Sequence, residues 1–271
     1  MGKYDNFLLI SDLDGTLINS KQEISKENLE AVKYFIENGG IFSVATGRTT
    51  QNIRLHIKEL PINGPCILYN GSAVYDFSEE KFFSTEYLEN HLIIDYIQYC
   101  IYKFDKLVVE VFTPEMMYIV TPEGNVDPYV LLEKQAFQRA AIKDILNMNW
   151  IKVMFSDTYE NLMEAENLLE TYGLADKIDS VFSHEHYFEI LKKDISKGAA
   201  LQVIKQMNEY KDRIIVAVGD FDNDLAMIKA ADVGIAVENA RESLKRVADK
   251  VTVSNDKNAI HDIIYNIIPT L

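Results

Sequence analysis

The chain has 271 residues, 48% of them hydrophobic, and a formal net charge of −15 from 27 Lys and Arg against 42 Asp and Glu. Such a surface repels nucleic acid and anionic membranes, and no apolar run approaches the ~20 residues of a membrane span. The length fits one large globular domain or two modest ones.

The opening residues lead straight into an apolar run, without the hydrophobic stretch and cleavage site of a secretory leader. The only two cysteines, Cys66 and Cys100, sit in apolar contexts and read as small core residues. A cytoplasmic setting is expected from both.

Leu8–Ser11 reads as a buried strand that ends in Asp12-Leu13-Asp14-Gly15-Thr16. In an extended segment residues i and i+2 share a side. Asp12 and Asp14 therefore form a carboxylate pair at a strand end, where open α/β sheets collect ligands. Two adjacent carboxylates repel unless a cation or a shared proton holds them, which asks for a divalent metal.

Residues 17–24 read as a small hairpin. A helix is predicted from Lys26 to Asn38, with Ser25 as its N-cap, Leu29, Val32, Phe35 and Ile36 on one face, and Gly39-Gly40 as its stop. Ile41–Ala45 is a second buried strand. It ends in Thr46-Gly47-Arg48, a hydroxyl, a glycine and a cation that suit an anion at a helix start. A helix over 49–60, a strand at Cys66–Tyr69 ending in Asn70-Gly71, and a short hairpin (Ala73–Asp76, Lys81–Phe83) follow. The alternation of strand and helix predicts a parallel sheet.

The middle of the chain changes character. Helices are predicted at 87–104, 128–147 and 158–171, with strands at 107–112, 116–120, 150–155, 178–182 and 187–191. This mixed order predicts a second domain at 83–191 inserted into a core formed by 1–82 and 192–271. Most of the excess negative charge falls in the insert. The alternating order then resumes. Ser196 caps a helix that opens with Lys197. Arg213–Val218 is the purest buried strand and ends in Gly219-Asp220-Phe221-Asp222-Asn223-Asp224 at a helix start. A short strand at 233–237 and helices at 242–248 and 259–267 complete the chain.

Asp12 with Asp14, Thr46 with Arg48, Lys197, and Asp220 with Asn223 and Asp224 thus reach equivalent places, at strand ends or a helix start. Each alone has a bland reading: a surface turn, a surface lysine, a helix start favoured by the dipole. As a set they supply what phosphoryl transfer needs: carboxylates for Mg²⁺, a nucleophile, an anion cradle and a cation.

On these residues the chain resembles the haloacid dehalogenase-like superfamily of phosphatases. Asp12-Leu13-Asp14-Gly15-Thr16-Leu17, Thr46, Lys197 and Gly219-Asp220-x-x-Asn223-Asp224 match its four motifs in order. The position of the insert resembles the Cof-type, class IIB members, as do Ala45-Thr46-Gly47-Arg48, Tyr69-Asn70-Gly71, Ser196-Lys197-Gly198 and Gly234-Ile235-Ala236. The resemblance implies a Rossmann-like, doubly wound parallel sheet core with an inserted α+β cap domain.

It also implies roles. Asp12 would attack phosphorus, and Asp14 would protonate the leaving alcohol and then activate water. Asp12, the Asp14 backbone carbonyl, Asp220 and Asp224 would serve the Mg²⁺ site, Asp224 directly or from behind. Leu13, Asp14, Thr46, Gly47, Lys197 and Asn223 would bind the phosphoryl group. The hairpin and the cap would exclude water. The substrate expected is a small phosphorylated metabolite, a sugar phosphate or a phosphorylated cofactor, turned over by a monomer or weak homodimer. A sugar-phosphate mutase is the alternative, and a receiver-like signalling domain a remote one. Ser72 and Glu238 depart from the family pattern, where Ala and Gly are usual.

Overall fold

A computed structural model describes residues 2–132 and 135–271. Met1, Glu133 and Lys134 lie outside the described residues, as do the side chains of Leu55 and His56. In chain order the elements are β1 (Phe7–Ser11), α1 (Lys26–Glu37), β2 (Ile41–Val44), α2 (Thr50–His56), β3 (Cys66–Leu68), β4 (Ala73–Asp76) and β5 (Lys81–Thr85). Next come α3 (Ile94–Lys103), β6 (Val108–Phe112), β7 (Met117–Ile119), α4 (Pro128–Leu132), β8 (Phe137–Arg139), α5 (Ile142–Ile145), β9 (Lys152–Ser156), α6 (Tyr159–Thr171), β10 (Ile178–His184) and β11 (Tyr187–Lys192). The chain closes with α7 (Lys197–Gln206), β12 (Ile214–Gly219), α8 (Leu225–Ala230), β13 (Val233–Ala236), α9 (Glu242–Lys245), β14 (Lys250–Val251) and α10 (Ala259–Asp262). Two compact units result, Met1–Ser84 with Ser196–Leu271, and Thr85–Ile195. No helix among the described residues is long and apolar enough to cross a membrane.

In the first unit a five-stranded parallel sheet runs β14-β13-β12-β1-β2. Strands buried on both faces read as continuous apolar runs, and Leu8, Leu9, Ile10, Ile215, Val216, Ala217 and Val218 are all fully buried. Burying each Leu, Ile or Val contributes about 1.5–3 kcal/mol. Helix α1 starts where expected: Ser25 Oγ accepts from the Asn28 N–H at 3.2 Å. Its inner face is Asn28, Ala31, Val32 and Phe35, because Asn28 Oδ1 accepts the His261 N–H and so draws that side inward. Cys66 and Cys100 are free and buried.

Several expected boundaries moved, each for a tertiary reason. The helix expected over 49–60 ends at His56; the Leu60 N–H turns back to the Ile57 carbonyl just before Pro61, which restricts the residue ahead of it. Tyr69 leaves the strand for a left-handed conformation (φ 51°). Strand β3 pairs antiparallel with β4 in a separate three-stranded sheet, linked to the main sheet by a parallel bridge, Ala45 to Ile67. The two-residue β14 escaped the periodicity altogether.

In the second unit a six-stranded sheet runs β10-β11-β9-β6-β7-β8. Its buried apolar residues include Val109, Val153, Phe155, Phe188 and Ile190, with the α3 residue Tyr96 stacked on Phe155 at 5.7 Å. The helix expected from 87 begins only at Ile94. Upstream, the Leu88 N–H donates to the Trp150 carbonyl (2.8 Å), which holds the chain out of a helix. The helix expected over 128–147 is two short helices around strand β8, which pairs parallel with β7. Backbone pairing along an open sheet edge outweighed the helical spacing, though Glu133 and Lys134 of that stretch lie outside the described residues.

Cross-strand pairing lines Glu110, Met154 and Glu189 along one row of this sheet. Lys152 Nζ pairs with Glu189 Oε2 at 2.7 Å and lies over the Phe112 ring. Glu110 is buried, and neither of its carboxylate oxygens has a hydrogen-bond partner among the described residues. Burial, with Asp127 and Glu189 adding repulsion and Lys152 opposing, pushes its carboxyl up to about 8. The folded state therefore keeps a proton that the unfolded chain releases from its ordinary 4.5 upward. Stability is lost as pH rises through that window. Glu110→Gln should gain in melting temperature relative to the parent as pH is raised from about 4.5 to 8. Thermal melts of both proteins across that range check the slope.

Candidate active site

The register of the parallel sheet sets Ser11 of β1 opposite Val44 of β2 and Val218 of β12. The residues that follow each strand leave at the same edge: Asp12, then Ala45-Thr46, then Asp220. The Asp12 N–H donates to the Val218 carbonyl (2.9 Å), and the Ala45 N–H to the Ser11 carbonyl (2.9 Å), which ties the first turns together.

Lys197 opens α7, capped by Ser196, whose Oγ accepts the Ala199 N–H at 3.0 Å. The lysine is wholly buried. Its Nζ donates to Asp12 Oδ1 (2.6 Å) and to Asp224 Oδ1 (2.7 Å). Burial alone would discharge the ammonium, but Asp12 and Asp224 outweigh it and raise the lysine above its ordinary pKa. Asp224 is saturated: its Oδ2 accepts the N–H groups of Asp220 (3.0 Å) and Phe221 (3.3 Å). The second oxygen of Asp12 makes no hydrogen bond within the described residues.

Asp220 packs on Gly15, whose φ of +80° and missing side chain the turn requires; a Cβ there would strike the Asp220 carboxylate. Thr16 Oγ1 donates to Asp220 Oδ1 at 3.0 Å. Burial and then Asp224 push the Asp220 carboxyl up to about 7, with Thr16 and Lys197 acting against them. Burial, countered by Lys197 and reinforced by the neighbouring aspartates, holds Asp12 well above the usual carboxylate range.

Ligand atoms of Asp12, Asp220 and Asp224 all lie within 4.8 Å of one another. Three carboxylates face one ammonium, so two negative charges stand uncompensated when all are ionised. An all-oxygen donor set with excess negative charge fits a hard divalent cation such as Mg²⁺. These three residues can hold a metal.

The other expected residues fall as follows. Leu13 is buried, and its carbonyl accepts the N–H groups of Thr16, Leu17 and Ile18 (3.3, 3.0 and 2.8 Å), turning the chain after β1. Asp14 is not one of the three carboxylates within 4.8 Å of one another, although its charge still raises Asp12 and Asp220, and it is half exposed. Arg48 grips both its oxygens, Nε to Oδ2 at 2.9 Å and Nη2 to Oδ1 at 2.7 Å. Thr46 Oγ1 accepts the Arg48 N–H (3.1 Å), leaving its own proton to donate. Gly47 packs against the Asn70 carboxamide, and Asn70 Oδ1 accepts from Asn223 Nδ2 (3.0 Å). Neither the Thr16 bond to Asp220 nor the Arg48 clamp on Asp14 was read from the sequence. Their only signal was position: Thr16 next to the glycine turn, Arg48 two residues after Thr46.

The model of the haloacid dehalogenase-like hydrolase family matches residues 9–264 of the chain. The chain belongs to that family. Among its curated relatives, the phosphatase YwpJ of Bacillus subtilis is 28% identical over 96% of this chain and 99% of its own length. YwtE of the same organism, a 5-amino-6-(5-phospho-D-ribitylamino)uracil phosphatase, is 29% identical over 92% and 93%. A solved haloacid dehalogenase-like hydrolase from Bacteroides thetaiotaomicron superposes with a TM-score of 0.81 at 28% identity, covering 98% of this chain and 100% of that one. The subclass IIB sugar phosphatase BT4131 shares the fold (TM-score 0.80, 18% identity, 96% and 99% covered).

Within this family member the Lys197 bridge is a structural element as well. Lys197→Met would strand two buried carboxylates without their cation. Urea unfolding in EDTA should show a loss of about 3–5 kcal/mol relative to the parent.

Proposed function

We propose that this hydrolase is a Mg²⁺-dependent phosphatase of small phosphorylated metabolites, sugar phosphates or phosphorylated cofactors, acting through an aspartyl-phosphate on Asp12. One observation carries the reading. Asp12 is buried at the strand edge with one oxygen held by Lys197 and the other without a hydrogen bond among the described residues, beside a carboxylate set suited to a divalent cation. The names of the relatives support the reaction class: YwpJ is called a phosphatase, and YwtE acts on a phosphoribityl compound. The net charge of −15 supports a diffusible small substrate over nucleic acid or membrane, and a cytoplasmic setting belongs to the same proposal.

In this mechanism the unbonded Asp12 oxygen attacks phosphorus in line with the leaving oxygen. Lys197 orients the nucleophile through its other oxygen and stabilises charge on the transferring group. Thr46 and Asn223, with the backbone at Leu13, Asp14 and Gly47, donate to the phosphoryl oxygens. Asp14 gives its proton to the leaving alcohol, then takes one from the water that hydrolyses the intermediate. Because Arg48 holds both oxygens of the Asp14 carboxylate, proton delivery requires one of those bonds to be released and the freed oxygen to carry a proton taken from water. Asp14 is half exposed although Arg48 is mostly buried, so water can take the place of the bond that is released. Asp12 and Asp220, with Asp224 behind them and the Asp14 backbone carbonyl beside them, would hold Mg²⁺, whose chemistry is to neutralise phosphate charge.

Asp12→Asn removes the nucleophile with little change of bulk. Turnover of p-nitrophenyl phosphate should fall below detection while the circular dichroism spectrum and melting temperature stay close to the parent. Near-normal rates in that variant would sink the assignment. Protons and the cation compete for Asp220, whose carboxyl sits at about 7. Calorimetry should show Mg²⁺ binding weaken by at least tenfold for each pH unit below that value, with at least one proton displaced per ion bound because Asp12 is raised as well.

A further inference from the structure

Between β3 and β4 three consecutive residues occupy the left-handed region: Tyr69 (φ 51°), Asn70 (φ 54°, ψ 30°) and Gly71 (φ 106°). Only the glycine accepts this without steric cost, and such strain persists where the surroundings impose it. Here the surroundings are the segments that carry the phosphate-binding residues. The Tyr69 N–H donates to the Arg48 carbonyl (3.2 Å), and the Asn70 N–H to the Thr46 carbonyl (3.1 Å). A Cβ on Gly71 would collide with the carbonyl of Ser196, the residue just ahead of Lys197. The Asn70 side chain reaches the last segment, accepting from Asn223 Nδ2 at 3.0 Å.

Asn70 is 1% exposed, and its carboxamide nitrogen is buried with no hydrogen-bond partner among the described residues. A buried donor left unmade is costly. Turning the amide over would set two NH₂ groups against each other and lose the bond to Asn223. The orientation therefore serves Asn223 rather than Asn70. Asparagine also meets two demands at once: it tolerates the left-handed backbone, and it accepts a hydrogen bond without carrying charge. Aspartate would meet the first demand and place a negative charge beside the anion.

We propose that Asn70 is a positioning residue for phosphoryl binding: by taking one amide proton of Asn223, it aims the other at the phosphoryl oxygens. The proposal rests on the phosphatase reading of this site, in which Asn223 is a phosphate donor.

A double-mutant cycle tests it, with Asn70→Gly, Asn223→Ala and the pair. The readouts are kcat and KM on p-nitrophenyl phosphate with Mg²⁺, and the Kd for inorganic phosphate by calorimetry. Asn70→Gly relieves the backbone, so its melting temperature should match or exceed the parent's. Its kcat/KM should nonetheless fall about tenfold or more, and the pair should be no worse than Asn223→Ala alone, because coupled residues are non-additive. Asn70→Asp keeps the acceptor and the backbone tolerance, so it should raise KM and the phosphate Kd with kcat less affected. Parental kinetics and phosphate affinity in Asn70→Gly, losses that multiply in the pair, or an unchanged phosphate Kd in Asn70→Asp would each overturn the proposal. If the parent protein binds phosphate but hydrolyses no ester, the phosphatase reading fails while the calorimetric cycle still decides the coupling. A parent that neither hydrolyses esters nor binds phosphate removes both.

Discussion

The site depends on one buried ammonium. Lys197 stands between Asp12 and Asp224 with no exposure to solvent, and it is the cation the carboxylate cluster is built around. Desolvating such a group costs several kcal/mol, and only well-placed opposite charges offset that. The surrounding chain is shaped to keep those charges in place. Ser196 caps the helix that starts with Lys197, Gly198 lets α7 approach the backbone at Ala226, and Asp224 is saturated by the N–H groups of its own loop. The cluster still holds more negative charge than the lysine can balance. That imbalance pushes Asp220 and Asp12 upward and makes a divalent cation the natural complement.

The parallel sheet turns distant residues into neighbours. Because Ser11 stands level with both Val44 and Val218, the chain leaves three strands at one height. Asp12, Thr46 and Asp220 then need only short turns to converge. The turns are cross-braced: Thr16 reaches Asp220, Asn239 Nδ2 reaches the Gly15 carbonyl, and Asn70 joins the Thr46 and Asn223 segments. Arg241 adds a brace from outside, stacking on Phe221 and pairing with Asp222. In the proposed reaction the phosphoryl donors must be held in fixed directions, and these braces hold their segments together without substrate present.

Legibility in the sequence followed the strength of the local signal. Ile214–Gly219 and Phe7–Ser11 read clearly because strands buried on both faces are unbroken apolar runs. Caps at Ser25 and Ser196 were readable because a hydroxyl before a helix satisfies a free N–H. The second unit was harder. Strand β8 sits in a stretch with helical spacing, and Leu88 is held out of helix by Trp150, a partner 62 positions away that no window contains. Asp14 was readable as one of a carboxylate pair, yet its side chain pairs with Arg48 and is not one of the three clustered carboxylates. The i, i+2 rule applies only while the backbone stays extended, and the chain turns immediately after Asp12.

The sequence by itself determined the chemistry available: which carboxylates, which lysine, which hydroxyl, and that they sit at strand ends and helix starts. Those assignments need only local propensity and the rule that open sheets gather ligands at strand ends. What the tertiary structure alone decided is who pairs with whom. It sets Lys197 between Asp12 and Asp224, Arg48 on Asp14, and Asn70 under Asn223, across separations of 27 to 185 residues. Hydrogen bonds act over about 3 Å, a distance that only strand register and packing can set.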